Sequence, residues 1–169
     1  MKVYGSDICK DCVAAKADLL NKQVCYTFVD MTANTTNMKE FLKLRDSRPE
    51  FDPIKEKGSI GIPCFVEGDI IWFDSLDNKP ADIVLYQLVD NSILRKDEAG
   101  NKIAEITFPL AGEGIYEINH TFVDDSLRGQ GVAAKLVEMA IEQIHEKGGK
   151  VTASCSYAAH YMEKNGITE

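Results

Sequence analysis

The apolar positions of the first eighty residues change period several times. Lys2 to Tyr4 reads as a short strand. Val13 to Leu20 has helical spacing and strong helix formers, with Cys12 at its start. Val24, Tyr26, Phe28 and Val29 mark a strand from Gln23 to Asp30. Met38, Phe41, Leu42 and Leu44 mark a helix from Asn37 to Arg45. Cys64-Phe65-Val66 and Ile70 to Phe73 then flank Gly68-Asp69, a strand–turn–strand pattern. The order β-α-β-α-β-β predicts one sheet with helices packed against it.

Ser75 to Pro80 is polar, carries a proline and is taken as the boundary. Ala81 to Val89 is expected to be a residual helix or a bridge. A different pattern follows: strands at Asn91 to Lys96, Ile103 to Phe108 and Ile115 to Val123, with a turn at Ala99-Gly100-Asn101. Val132 to Lys147 reads as a long amphipathic helix closed by Gly148-Gly149. A strand from Val151 to Ser156 and a helix from Ala158 to Lys164 complete the pattern. The expectation is an α/β (α+β) chain of two domains, 1–80 and 81–169.

Composition narrows the function classes. With 44% hydrophobic residues the chain can form packed cores. The net charge of −8 argues against nucleic-acid and anionic-membrane partners. It is uneven, −2 in residues 1–80 and −6 in 81–169; ordinary solubility accounts for this first, with a cationic or amine acceptor for the second half as the functional alternative. No run of about eighteen apolar residues offers a membrane span. The start has no apolar region of signal-peptide length, so a cytoplasmic location is expected. There cysteines stay reduced, and an odd set of five (Cys9, Cys12, Cys25, Cys64, Cys155) is no disulfide framework.

Cys9-Lys10-Asp11-Cys12 lies where the first strand meets the first helix. Free N–H groups and positive potential at a helix start stabilise a thiolate, here on Cys9, and Cys12 one turn on can resolve a mixed disulfide. Lys10 adds positive charge, opposed by Asp7 and Asp11. A zinc half-site would need two more ligands, and the N-terminal half has no histidine, so no metal is expected. Ile62-Pro63 lies about fifty residues on, just before the strand–turn–strand. Cys64 and Cys25 read as buried core residues, with Cys64 also open to a role as a third redox thiol.

Together these residues resemble the glutaredoxin family over about residues 1–77. The resemblance implies a thioredoxin-like fold, thiol–disulfide exchange at Cys9 and Cys12, and a cis-proline loop at Ile62 and Pro63 that positions a redox partner. Glutathione is a candidate partner. However, Ser6, Asp7 and Ile8 stand where many glutaredoxins carry a lysine, and Phe73-Asp74-Ser75 replaces the usual Gly-Gly segment.

In the second half, a strand, a two-glycine loop and a helix form an anion-binding arrangement. The loop is Arg128-Gly129-Gln130-Gly131-Val132-Ala133. A dinucleotide fingerprint is not met, since Ala134 occupies its third glycine, and no Gly-Lys-Ser/Thr makes it a P-loop. The run Ile118 to Ala133 resembles the acetyl-CoA motif of GNAT acetyltransferases, Gln/Arg-x-x-Gly-x-Gly/Ala, met by Arg128, Gly131 and Ala133. His120-Thr121 and Cys155-Ser156-Tyr157 resemble a compact subgroup. This resemblance covers about residues 90–166. It implies acetyl-CoA bound by the amides of 129–133, with Arg128 at the head of the loop, and a small-molecule or protein amine acceptor.

His120 is a candidate base and Cys155 a candidate acyl-accepting nucleophile, expected on adjacent strands; each is also readable as an interior residue. His145 and His160 are expected to face solvent. Tyr157 and Tyr161, four apart, read as packing residues. The leading reading is a fusion of a thiol–disulfide oxidoreductase with an acetyltransferase. The alternative is a non-catalytic coenzyme-A-binding module under redox control by the dithiol domain.

Overall fold

The computed structural model describes residues 1–167 and divides into two compact units, one from Met1 to Leu85 and one from Tyr86 onwards. Among the described residues no helix is long and apolar enough to cross a membrane.

The first unit contains β1 (Lys2–Gly5), α1 (Lys10–Asn21), β2 (Thr27–Asp30), α2 (Thr35–Ser47), the short α3 (Asp52–Glu56), β3 (Cys64–Glu67) and β4 (Ile70–Phe73). The sheet order is β2-β1-β3-β4. β1 and β2 are parallel, which requires a crossover, and α1 supplies it. β3 runs antiparallel to both β1 and β4.

Strand alternation builds two cores, one on each face of this sheet. Val3, Phe65 and Trp72 face one side, with Ala15 and Leu19 of α1. Tyr4, Val29, Cys64 and Ile71 face the other, with Phe41 of α2 and Phe51. Phe51 stands edge-on to Phe41 and Phe73, at ring separations of 6.0 and 4.8 Å. Gly5 is required where α1 meets the sheet. A Cβ there would lie 2.9 Å from the Phe28 ring and 3.0 Å from Cys12 Sγ.

Boundaries shift for local reasons. Gln23 turns the chain with φ +53°, so β2 starts at Thr27. Asn34 accepts the Asn37 amide at 2.8 Å and starts α2 at Thr35. The 3-10 turn Pro49–Phe51 and α3 lie in a stretch where the apolar pattern predicts no element.

The second unit begins at Tyr86, so Ala81 to Leu85 belong to the first unit. Ala81 to Val89 contains no helix: Ile83 packs into the first unit's core, and β5 (Gln87–Val89) pairs with β6 (Ser92–Lys96). Asp90 and Asn91 form the two-residue turn between them, Asp90 at φ +54°. Then come β7 (Lys102–Thr107), β8 (Leu110–Gly112), β9 (Ile115–Ile118), β10 (His120–Val123), α4 (Val132–Glu146), β11 (Lys150–Ala153) and α5 (Ser156–Lys164). They form two sheets, β10-β7-β6-β5 and β11-β9-β8.

Ile115 to Val123, expected as one strand, breaks at Asn119. β9 pairs in parallel with β11, whereas β10 pairs antiparallel with β7. One extended run therefore feeds two sheets, and the paired backbones part after Ile118 and Ala153. Val132, Leu136, Val137, Ala140 and Ile144 form the buried stripe of α4. That helix packs on β7, β6, β10 and β11. Ile93, Ala104, Ile106 and Phe108 are fully buried in this unit.

Candidate functional site

After β10 the chain must turn into α4 within a few residues. The Asp124 carboxylate accepts the Ser126 hydroxyl at 2.7 Å and its amide at 2.9 Å, and these bonds hold its pKa below the usual carboxylate range. Leu127 is buried and anchors the turn. Gly131 caps α4 in the left-handed region, φ +73°. It has no side chain to cap the helix. The first ladder bond runs from the Lys135 amide to the Gly131 carbonyl, 3.1 Å, so the amides of Val132, Ala133 and Ala134 precede the helix's own hydrogen bonds.

A cleft of about 300 Å3 forms here, lined by Arg128, Gly129, Gly131, Val132 and Ala133 together with Val123, Leu127 and Tyr157. Gln130 does not line it; its side chain donates to the Ser126 carbonyl at 3.0 Å and braces the loop. Arg128 is exposed and paired with Asp125 at 2.8 Å. A Cβ on Gly131 would meet no protein atom within 4 Å, so this edge of the loop is open.

Cys155 is not on a strand. β11 ends at Ala153, and the amides of Ser154 and Cys155 both donate to the Ile118 carbonyl at 3.1 Å. Cys155 then becomes the N-cap of α5. Its sulfur lies in the fork between β10 and the start of this helix, 3.5 Å from Thr121 Oγ1. Burial pushes the thiol pKa up. The Thr121 hydroxyl and the amides of Ala158, Tyr157 and Thr121 outweigh it, and the net shift is downward.

The expected pairing of Cys155 with His120 is therefore corrected. Successive residues of β10 face opposite sides. Thr121 and Val123 are half-buried, while His120 and Phe122 are exposed. The sulfur's side-chain partner is Thr121. Tyr157, expected only to pack, lines the cleft beside the glycine loop, whereas the Tyr161 hydroxyl is bonded to Glu138. His145 and His160 are exposed, as expected.

In the first unit Cys9 is the N-cap of α1 and half-buried, while Cys12 is fully buried. Burial first, then the hydrogen bond with Cys9, pushes the Cys12 thiol up to about 12. The Ile62–Pro63 peptide is cis. Gly61 and Ile62 share with Cys9 a cleft of about 690 Å3. Pro63 itself is buried, and its carbonyl accepts the Asp74 amide at 3.3 Å. Cys64 is a buried core residue, with burial pushing its thiol up to about 12, and Cys25 is buried too. Among the described residues no cluster of three or more His, Cys, Asp or Glu could hold a metal ion.

Thr121 and Tyr157 are what sequence reasoning missed as site residues. Both sit inside the quoted motifs, and the available signal was period-two alternation along 120–123.

Comparison with known proteins concerns the second unit. Residues 92–168 match the family described as GCN5-related N-acetyl-transferase. An uncharacterised protein of Haemophilus influenzae is 34% identical over 71 residues, 41% of this chain and 83% of that protein. Protein NATD1 of Homo sapiens is 29% identical over 66 residues, 39% of this chain and 58% of that protein. The chain thus spans less than two thirds of NATD1. An NMR structure of a GCN5-like protein from Staphylococcus aureus is 38% identical, with a TM-score of 0.42, covering 47% of this chain and 78% of that one. Through its C-terminal unit, this chain belongs to the GCN5-related N-acetyl-transferase family.

Proposed function

We propose that the chain is an acetyl-CoA-dependent acetyltransferase carrying a dithiol oxidoreductase unit of the glutaredoxin-like, thioredoxin-fold type. One observation carries the first part: amides at the start of α4, beyond the reach of the helix's own bonds, border a cleft walled by Arg128, Gly129, Gly131, Val132 and Ala133. Such amides, with the helix dipole behind them, suit a pyrophosphate. The glycines let it approach the backbone, and Arg128 adds positive charge at the rim. Acetyl-CoA is the cosubstrate that fits this chemistry and the family. The acceptor is an amine on a small molecule or protein.

Cys155 offers a covalent route. Its lowered pKa raises the thiolate fraction, and the thiolate attacks the acetyl carbonyl, with coenzyme A leaving as its thiol after protonation. The acetyl thioester on Cys155 then passes to the acceptor amine, which loses a proton to solvent. Thr121 and the α5 amides, rather than His120, hold the sulfur for this step. Direct attack by the amine on acetyl-CoA is the competing route. Reduced protein incubated with acetyl-CoA should yield a hydroxylamine-labile acetyl group on the Cys155 peptide. No adduct there, with normal turnover in Cys155→Ala, leaves direct transfer as the mechanism.

For the first unit, the dithiol reading is supported by Cys9 at a helix N-terminus, Cys12 one turn behind it, and Gly61 and Ile62 beside Cys9 in the same cleft. Mild oxidation should remove two alkylatable thiols, reversibly with a dithiol reductant. Cys9→Ser and Cys12→Ser should each abolish that loss.

A further inference from the structure

The carboxylates around Cys9 bear on which disulfides it accepts; this inference rests on the dithiol reading above. The cleft at Cys9 is lined by Asp11, Glu50 and Asp74 against one cation, Lys57. A second cleft, of about 440 Å3, shares Asp11 and Asp74 and adds Asp18 and Asp77, with no cation on its walls. Neighbouring cations already hold several of these groups. Glu50 pairs with Arg48 at 2.6 Å, and Lys22 bridges Asp18 and Asp77 at 3.0 Å each. Asp7 pairs with Lys16 at 2.6 Å. Asp11 and Asp74 have no ion pair among the described residues, and they are the two carboxylates common to both clefts. The walls beside the half-buried thiol therefore carry two carboxylates without an ion pair against one lining cation, over an apolar floor that includes Ile54, Ile62 and Phe73.

We infer that Cys9 acts preferentially on disulfides flanked by cationic groups, with Asp11 and Asp74 as the residues that set the preference. An approaching ammonium gains attraction from both carboxylates, and a carboxylate-bearing disulfide is repelled by them. The chemistry is ordinary exchange. The Cys9 thiolate attacks one partner sulfur, forms a mixed disulfide and expels the first partner thiolate, which takes a proton from solvent. Cys12 loses its proton and attacks Cys9, closing the Cys9–Cys12 disulfide and expelling the second thiol. Two electrons pass from the dithiol to the partner.

The test uses the full, pre-reduced chain in single turnover. It is mixed with cystamine (a dication), 2-hydroxyethyl disulfide (neutral) or 3,3′-dithiodipropionate (a dianion), and Cys9–Cys12 oxidation is followed by quenched alkylation and peptide mass spectrometry. Each rate constant is divided by that for the neutral disulfide, which removes any change in thiol reactivity. At about 0.01 M ionic strength the normalised cystamine-to-dithiodipropionate ratio should be at least ~10-fold higher in the wild type than in the Asp11→Asn/Asp74→Asn double variant. It should collapse toward the variant's value at about 1 M salt, where the Debye length is about 3 Å. Asparagine suits the left-handed backbone of Asp74, φ +74°, so the variant keeps its fold. Equal normalised ratios in the two proteins overturn the inference. If the neutral disulfide leaves Cys9 and Cys12 unoxidised, the dithiol reading fails and the inference falls with it.

Discussion

The sulfurs of Cys155 and Cys64 are driven in opposite directions by what surrounds them. Cys155 has hydrogen-bond donors from β10 and α5, and its pKa falls; Cys64 is sealed among Tyr4, Phe41 and Phe51, and its pKa rises to about 12. Thr121→Val should slow alkylation of Cys155 near neutral pH by roughly fivefold, the factor one net hydrogen bond of about 1 kcal/mol represents. His120→Ala should leave that rate unchanged, and peptide-resolved mass spectrometry distinguishes the two. An equal slowing by His120→Ala would restore the histidine pairing. For Cys64 the sign follows from its neutral burial. The unfolded chain releases this proton near 9, while the folded chain keeps it to about 12. The contribution to stability is therefore intact below pH 9 and is lost as pH rises from 9 toward 12. In urea titrations of the reduced protein, Cys64→Ala should flatten the alkaline fall of the first unit's stability; an identical fall contradicts the assignment. At this scale the sequence displayed every residue type of the site but not its orientation. His120 and Thr121 are neighbours in one motif. Which of them faces Cys155 depends on the break at Asn119, where no Gly or Pro marks a change of partner.

Elements were more legible where a local signal coincides with a boundary. The stripe from Val132 to Ile144 and the glycines around it define α4 from sequence. Cys64 to Phe73, with Gly68 at its turn, defines the β3–β4 hairpin. Asn34 was a signal left unread. Its side chain caps α2, so Asn34→Ala should cost about 1 kcal/mol in urea denaturation, and no loss would mean the cap is dispensable. β5 was missed because it is three residues long and its turn, Asp90-Asn91, contains no glycine. At the head of α4, Gly131→Ala meets no protein atom but must hold a left-handed backbone. It should destabilise the second unit by ~1–2 kcal/mol through strain alone. A fully stable variant would show that the loop can adopt another conformation.

On the scale of the whole molecule, the change in hydrophobic period near residue 80 corresponds to a chain of two compact units. Two sheets in the second unit arise from one extended run, and that was not readable from its apolar pattern. Strand pairing is decided by distant partners: β11 claims β9, and β7 claims β10. The fork so made leaves Cys155 beside β10, and α4, after the loop that follows β10, starts with the amides proposed to bind acetyl-CoA. A ligand bound only by the folded second unit should raise its thermal midpoint in proportion to the logarithm of concentration. Calorimetric titration of acetyl-CoA into the reduced full chain tests the central claim most directly, with Gly131→Val titrated in parallel after its fold is verified by circular dichroism. The account predicts one site per chain in the wild type and an affinity at least about tenfold weaker in the variant, the factor that 1.4 kcal/mol represents. No binding to the wild type, or the same affinity in a folded Gly131→Val, would contradict it.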